Sequence, residues 1–312
     1  MTPKKMDWST TKSFSLTYSG SASHGVYGTI TTLVSHQAQR ATSNRELTRQ
    51  CLAMSGIDHL PSKTFHISQG SAAAAYADSL GRPVTIVPAV AKLRDHARTN
   101  ISLIGDLAEA WEQLAQACEH LPVPKQLIEV EAFYPWISVR AFVVGESTVA
   151  AVARIPLFVV GDGDQSLGDL AELELQRRAG CSFLDTPNVS SAEELLASAD
   201  LDPAAILDEG ELRLLTDASE GQLGVGWSID VTDQLSAELK TLAVTALWAF
   251  PGLGASGVDI LTPSLDSADL ALVTGLNPGA DTREFRFPAY GKTRLPNRAI
   301  MEKIVQQSTD RR

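Results

Sequence analysis

The stretch from Gln126 to Val160 constrains the fold more than any other part of the chain. QLIEVEAF, SVRAFVVG and STVAAVARIPLFVV follow one another with only short polar breaks. Such apolar continuity predicts adjoining strands of a sheet buried against helices, and Gly145-Glu146-Ser147 can turn the second run into the third as a hairpin. Polar side chains inside a buried sheet need partners, which singles out Glu129, Glu131, Arg140 and Arg154.

Upstream, the pattern alternates helix and strand. Ser43-Asn44-Arg45-Glu46 reads as a capping box opening a helix over about 44–55, with Leu47, Cys51 and Met54 at helical spacing and Gly56 as its stop. A strand around KTFHI, an alanine-rich helix from Ser71 to Leu80 and the strand PVTIVP come next. A helix from about Asp106 to His120 then places Leu107, Trp111, Leu114 and Cys118 on one face. Downstream, GDGDQSLGDLAELELQRR predicts a tight turn and a helix, and SSAEELLASAD and PAAILDE two more helical pieces. ELRLLTD reads as a strand, and a long helix carries Leu235, Leu239, Leu242, Ala246, Leu247 and Phe250. Two short apolar runs, ending in SGVDI and LNPG, are joined by a Ser/Asp turn, and a final helix begins near Pro296. Residues 13–32 carry Gly20, Gly25 and Gly28 without a Lys-Ser/Thr pair or a G-x-G-x-x-G pattern, and read as a flexible surface loop.

At 312 residues, 44% of them hydrophobic, the chain can bury a sizeable core in one compound domain or two lobes. A net charge of −11 argues against nucleic acid or an anionic membrane as partner, because both require a positive field. Cys51, Cys118 and Cys181 lie far apart and outside any C-x-x-C pair, as expected of reduced thiols, and no H-x-x-x-H suggests zinc. No run approaches the ~18 apolar residues of a membrane span, and no apolar segment follows the N-terminal lysines, so a soluble cytoplasmic protein is expected.

In their order and spacing, SNRELTRQCLAMSGI, LIEVEAF with SVRAFVVG, VAAVARIPLFVVGDG with SLGDL, GWSIDVTD, SGVDI, LNPG and FPAYGKTRLPNRAI resemble the ATP-grasp superfamily. The likeness is greatest to the ATP-grasp part of cyanophycin synthetases and related amino-acid ligases, over about residues 35–303. It implies an α/β (α+β) ATP-grasp fold, two lobes enclosing a nucleotide cleft. The parts would be an N-terminal Ser/Thr/Gly-rich segment (1–40), a small lobe (41–125), a C-terminal lobe (126–303) and a tail (304–312). It implies ATP- and Mg2+-dependent amide-bond formation on an amino acid or small peptide through an acyl phosphate, chemistry that rests on positioning and charge neutralisation. By the same resemblance Asp259 and Asn277 are metal ligands, Arg140 and Arg154 face the phosphates and the substrate carboxylate, and Glu131 accepts from the ribose hydroxyls. The backbone of Leu127, Ile128 and Val130 would contact adenine. A second copy of the chain or a partner ligase is the protein partner it would allow.

The departures from the family pattern are local. Val87 stands at the phosphate-binding lysine, the flap AVAKLRDHARTN contains no glycine, and Gly275 stands where a carboxylate usually bridges two Mg2+ ions, which implies one ion rather than two. Lys92, Arg94 and Arg98 are the candidate replacement cations, and Asp281 and Glu284 the candidate replacement carboxylates. The sequence leaves open an active ligase, a catalytically impaired pseudoenzyme acting as a binding or regulatory subunit, and a structural subunit with an empty cleft.

Overall fold

The computed structural model describes residues 2–4, 13–18, 21–27, 30–90, 93, 96–180, 191–216 and 227–310. Strands β1 (Thr2–Lys4), β2 (Ser13–Tyr18), β3 (Ser21–Tyr27) and β4 (Ile30–Thr31) pair successively as an antiparallel sheet. The flexible loop expected over 13–32 is thus mostly strand. Its signal was the period-two alternation of Phe14, Leu16 and Tyr18 with Ser and Thr, which the glycines obscured.

Helices α1 (His36–Thr42) and α2 (Arg45–Met54) follow. The N-cap of α2 is Asn44, whose Oδ1 accepts from Leu47 N at 3.0 Å, while Ser43 closes α1 by donating to the Gln39 carbonyl. The buried side of α2 carries Thr48 and Leu52, whereas Leu47 and Met54 face solvent, so the expected apolar stripe is shifted by one residue. The reason is tertiary: α2 packs between two sheets and buries the row that meets β-structure. Arg45 and Arg49, one turn apart, form a neighbouring row.

The smaller of those sheets contains β5 (Ser62–His66), β6 (Val84–Pro88), β7 (Arg98–Ile101) and β8 (Leu127–Ala132) in the antiparallel order β5-β8-β6-β7. Helices α3 (Gly70–Ser79) and α4 (Ile104–Cys118) cover one of its faces. Leu107, Trp111, Leu114 and Cys118 of α4 are all buried, as their spacing predicts. Burial of the Cys118 thiol raises its pKa, which keeps it inert at neutral pH. Strand β8 lies beyond the lobe boundary expected at residue 125 and is nevertheless an inner strand of this sheet.

The larger sheet holds β9 (Ile137–Val144) and β10 (Ser147–Ile155), a hairpin through Gly145, whose φ is +62°. Next come β11 (Phe158–Val160), α5 (Leu167–Ala179), α6 (Ala192–Ser198), β12 (Leu212–Leu214) and β13 (Trp227–Asp230). The chain ends with α7 (Ala237–Trp248), β14 (Ala255–Thr262), β15 (Leu272–Asn277), α8 (Arg283–Arg286) and α9 (Pro296–Asp310). The antiparallel order is β13-β10-β9-β14-β15. PAAILDE is turn and bridge rather than helix. The Pro203 and Ala205 carbonyls accept from Gly168 and Leu167, first-turn donors of α5 that would otherwise be unsatisfied.

One face of the larger sheet, with Val139, Ala141, Ala151, Val258 and Ile260, packs on Leu239, Ala243 and Leu247 of α7. The opposite face is apolar only in part. Phe142, Val152 and Ala255 meet Phe285, Ile300 and Ile304, with Phe142 and Phe285 edge to face at 5.6 Å. Each such ring contributes about 1.5–3 kcal/mol by burial. Further along the strands this face turns polar, and the candidate site begins there.

Candidate functional site

Strand register places the expected residues together. Arg140 pairs with Asp259 across β9 and β14, Gly275 pairs with Asp259 across β14 and β15, and Asn277 pairs with Gly257. Side chains two apart share a face, so Asp259 and Asn277 are same-face diagonal neighbours, roughly 7–8 Å apart in such a ladder. Arg154 on β10 pairs with Ser138 and so shares the face of Arg140. A bulge flanks the Asp259–Gly275 pair, a feature that re-aims side chains.

The two arginines and two carboxylates close into a ring. Arg140 donates from Nε to Asp259 Oδ1 (2.6 Å) and from Nη2 to Oδ2 (2.8 Å), the two-point geometry that guanidinium provides and lysine cannot. Arg140 Nη1 reaches Glu284 Oε1 at 3.1 Å, and Arg154 donates from Nε and Nη2 to Glu284 Oε2 at 3.1 and 2.9 Å. Arg154 Nη1 lies 3.6 Å from Asp259 Oδ1. Burial alone would lower the Arg140 pKa, but Asp259 and then Glu284 outweigh it and hold the group above the ordinary arginine value. Glu284 was named from sequence as a replacement carboxylate, and α8 delivers it to both guanidiniums. Asp281, its companion in that expectation, is engaged by Arg283.

A second charged cluster lies on the face of the smaller sheet opposite α3 and α4. Glu129 is 1% exposed and pairs with Arg45 at 2.5 Å and with Arg49, while Arg45 also pairs with Glu131. Glu129 thus has the partners that a polar side chain inside a buried sheet needs. A carboxylate buried so deeply persists only with hydrogen-bonded cations beside it. The arginine pair was missed, although their one-turn spacing opposite two alternating glutamates was the available signal. Burial would lower the Arg45 pKa, and Glu131 and Glu129 together raise it instead. Val87 faces Glu129 across β6 and β8, and Thr85 faces Glu131.

The backbone of Leu127, Ile128 and Val130 pairs with β5 on one side and β6 on the other. Its amides and carbonyls take part in the ladder. Arg98 donates to the His96 and Ala97 carbonyls and to Gln113 Oε1. Lys92, Arg94 and Cys181 lie outside the described residues.

For a divalent cation the protein offers the carboxylate of Asp259 and Asn277, an exposed side chain whose Oδ1 accepts from Gly279 N at 3.0 Å. Among the described residues no group of three or more His, Cys, Asp or Glu side chains is placed to hold a metal. A Cβ built on Gly275 meets nothing within 4 Å, so the space of a third carboxylate is open. Two oxygen donors fit one Mg2+ that brings phosphate and water oxygens with it, since Mg2+ is ordinarily held this way rather than in an all-protein cage.

No family model matches the chain. Among curated proteins, a glutathione biosynthesis bifunctional protein of Pasteurella multocida is 26% identical over 251 residues, covering 76% of this chain and 31% of the relative. Its counterpart in Streptococcus thermophilus (strain CNRZ 1066) is 30% identical over 191 residues, 57% of this chain and 24% of the relative. The chain thus spans about a third or less of these relatives. The crystal structure of a bifunctional glutathione synthetase from Pasteurella multocida superimposes with a TM-score of 0.67 at 22% identity, covering 98% of this chain and 42% of that one. The ring itself is built from Arg140, Arg154 and Asp259 on inner strands of the larger sheet and Glu284 on α8. The chain has an α+β ATP-grasp fold.

Proposed function

We propose that the chain is a carboxylate–amine ligase that uses ATP with a single Mg2+ to join an amino acid or small peptide to an amine, in the cytoplasm. The observation that carries this reading is the convergence of Arg140, Arg154, Asp259 and Asn277 on one sheet face, in register, from two strand pairs more than a hundred residues apart in sequence. The two sheets are read as the two lobes of the cleft, with β8 contributed to the small lobe from beyond residue 125.

Bound ATP supplies the phosphoryl group that activates a carboxylate as an acyl phosphate, which the amine converts to an amide with release of phosphate. The protein's part is electrostatic. Asp259 and Asn277 would hold the cation, and a phosphate or substrate carboxylate arriving at the ring would take the arginine donors that Glu284 now occupies. Binding is then an exchange of anions on fixed cations, which needs little reorganisation of the sheet. Glu131, now on Arg45, would accept from the ribose hydroxyls.

Val87 and Gly275 favour one competing reading, a subunit that binds nucleotide without turnover and regulates a partner ligase. Two measurements decide. Millimolar ATP with Mg2+ should raise the melting midpoint, since a ligand specific to the native state must do so; no shift ends both readings. ADP release with pooled amino acids and small peptides, components of glutathione included, should appear and be lost in Arg140→Ala. ATP binding without ADP release under any pool would leave only the non-catalytic subunit.

A further inference from the structure

Thr85 is 5% exposed, and its Oγ1 has no hydrogen-bond partner among the described residues. A buried hydroxyl left unpaired is costly, and native proteins rarely retain one without use. Its position is specific. Thr85 sits on β6 directly across from Glu131 and two residues before Val87, on the face that carries Glu129, Glu131 and the α2 arginines. Directly opposed side chains on paired strands have Cβ atoms about 4.5–5.5 Å apart, so this hydroxyl and the Glu131 carboxylate can address the same small group. The hydroxyl nevertheless makes no bond to that carboxylate. On the opposite side of the sheet, Val84 and Ile86 are buried among α3 and α4, so the alternation of β6 fixes Thr85 toward the cleft face.

We propose that Thr85 is a further binding residue of the nucleotide site, donating to the ribose hydroxyl whose own proton Glu131 accepts. A carboxylate can only accept and a threonine hydroxyl can do both, so the pair recognises a group that donates and accepts at once, as a sugar hydroxyl does. This rests on the nucleotide reading above.

The test compares wild type, Thr85→Val, which removes the hydroxyl at constant shape, and Thr85→Ser, which keeps it. Dissociation constants for ATP, 2′-deoxy-ATP and 3′-deoxy-ATP are read by calorimetry, and the melting midpoint is read without ligand. Thr85→Val should weaken ATP about tenfold and Thr85→Ser little, the size expected for one hydrogen bond. The weakening should vanish with one of the two deoxynucleotides. Without ligand Thr85→Val should melt higher than wild type, by about 2 °C, because an orphaned buried hydroxyl is gone. Equal ATP affinity in wild type and Thr85→Val, equal weakening with all three nucleotides, or a lower ligand-free midpoint would each overturn the assignment. If wild type itself binds no nucleotide, the nucleotide reading falls and this proposal with it, a result distinct from normal binding by both proteins.

Discussion

Glu284→Gln is the perturbation that most directly tests how the candidate site is held. Glu284 touches Arg140 and Arg154, and the four side chains of the ring are 10–22% exposed. Two unit charges about 4 Å apart attract by about 4 kcal/mol at an effective dielectric near 20, and Glu284 makes two such contacts. Much of that offsets the desolvation of the carboxylate itself, and measured losses on removing one partner of a buried pair are about 3–5 kcal/mol. Asp259 still holds Arg140 through two bonds, and the ring keeps some solvent contact, so the expected loss lies at the low end, about 3 kcal/mol. With an unfolding entropy of about 2.1 cal/mol/K per residue, this corresponds to a fall in melting midpoint of about 5 °C. The assay is calorimetric melting beside Glu302→Gln, which removes the Arg298–Glu302 pair, 75% and 64% exposed and one helical turn apart. That control should leave the midpoint nearly unchanged, because exposed pairs contribute little. The Glu284 effect should also survive 0.5 M salt, because buried pairs are screened little. If Glu284→Gln costs no more than Glu302→Gln, the ring contributes nothing as a unit and its description as the organising feature of this face is wrong.

Gly275→Glu should be tolerated, since a Cβ there meets nothing within 4 Å and the position needs no left-handed backbone. In the presence of ATP, Mn2+ binding followed by electron paramagnetic resonance should tighten at least tenfold or gain a second ion; an unchanged titration would argue against a cation at Asp259. Asp230 and Asp233 hold Arg294, which ties the segment before α9 to β13. Hydrogen bonds from Arg294 and Lys292 lower the Asp233 pKa to about 2, below the ordinary 3.8. A depressed folded pKa contributes stability above the unfolded value and loses it as pH falls through the folded one. The midpoint gap between wild type and Asp233→Asn should therefore be constant from pH 7 to 5 and close between about pH 4 and pH 2. A gap that persists at pH 2 would refute this.

Much of this arrangement was legible because it depends on local periodicity. The apolar runs of β8, β9 and β10 could only be buried strands, and the face of α4 followed from its spacing. Asp259 and Asn277 were matched through the family resemblance, and the register of β14 with β15 is what puts them on one face. The readings that failed are those in which a neighbour overrides local preference. PAAILDE has helical composition, yet its carbonyls cap α5. The stripe of α2 shifted because that helix meets two sheets, not one.

The amino-acid order by itself determined most of the strands and helices and which polar residues inside the sheets would need partners, and, through the family resemblance, the departures at Val87 and Gly275. Only the tertiary structure decided that Arg45 and Arg49 neutralise Glu129 and Glu131, that Glu284 joins two arginines more than a hundred residues away, and that the Leu127–Val130 backbone is paired inside a sheet. The physical reason is range. Helix and strand preferences act within a few residues, whereas the partner of a buried charge is set by which surfaces the core brings together.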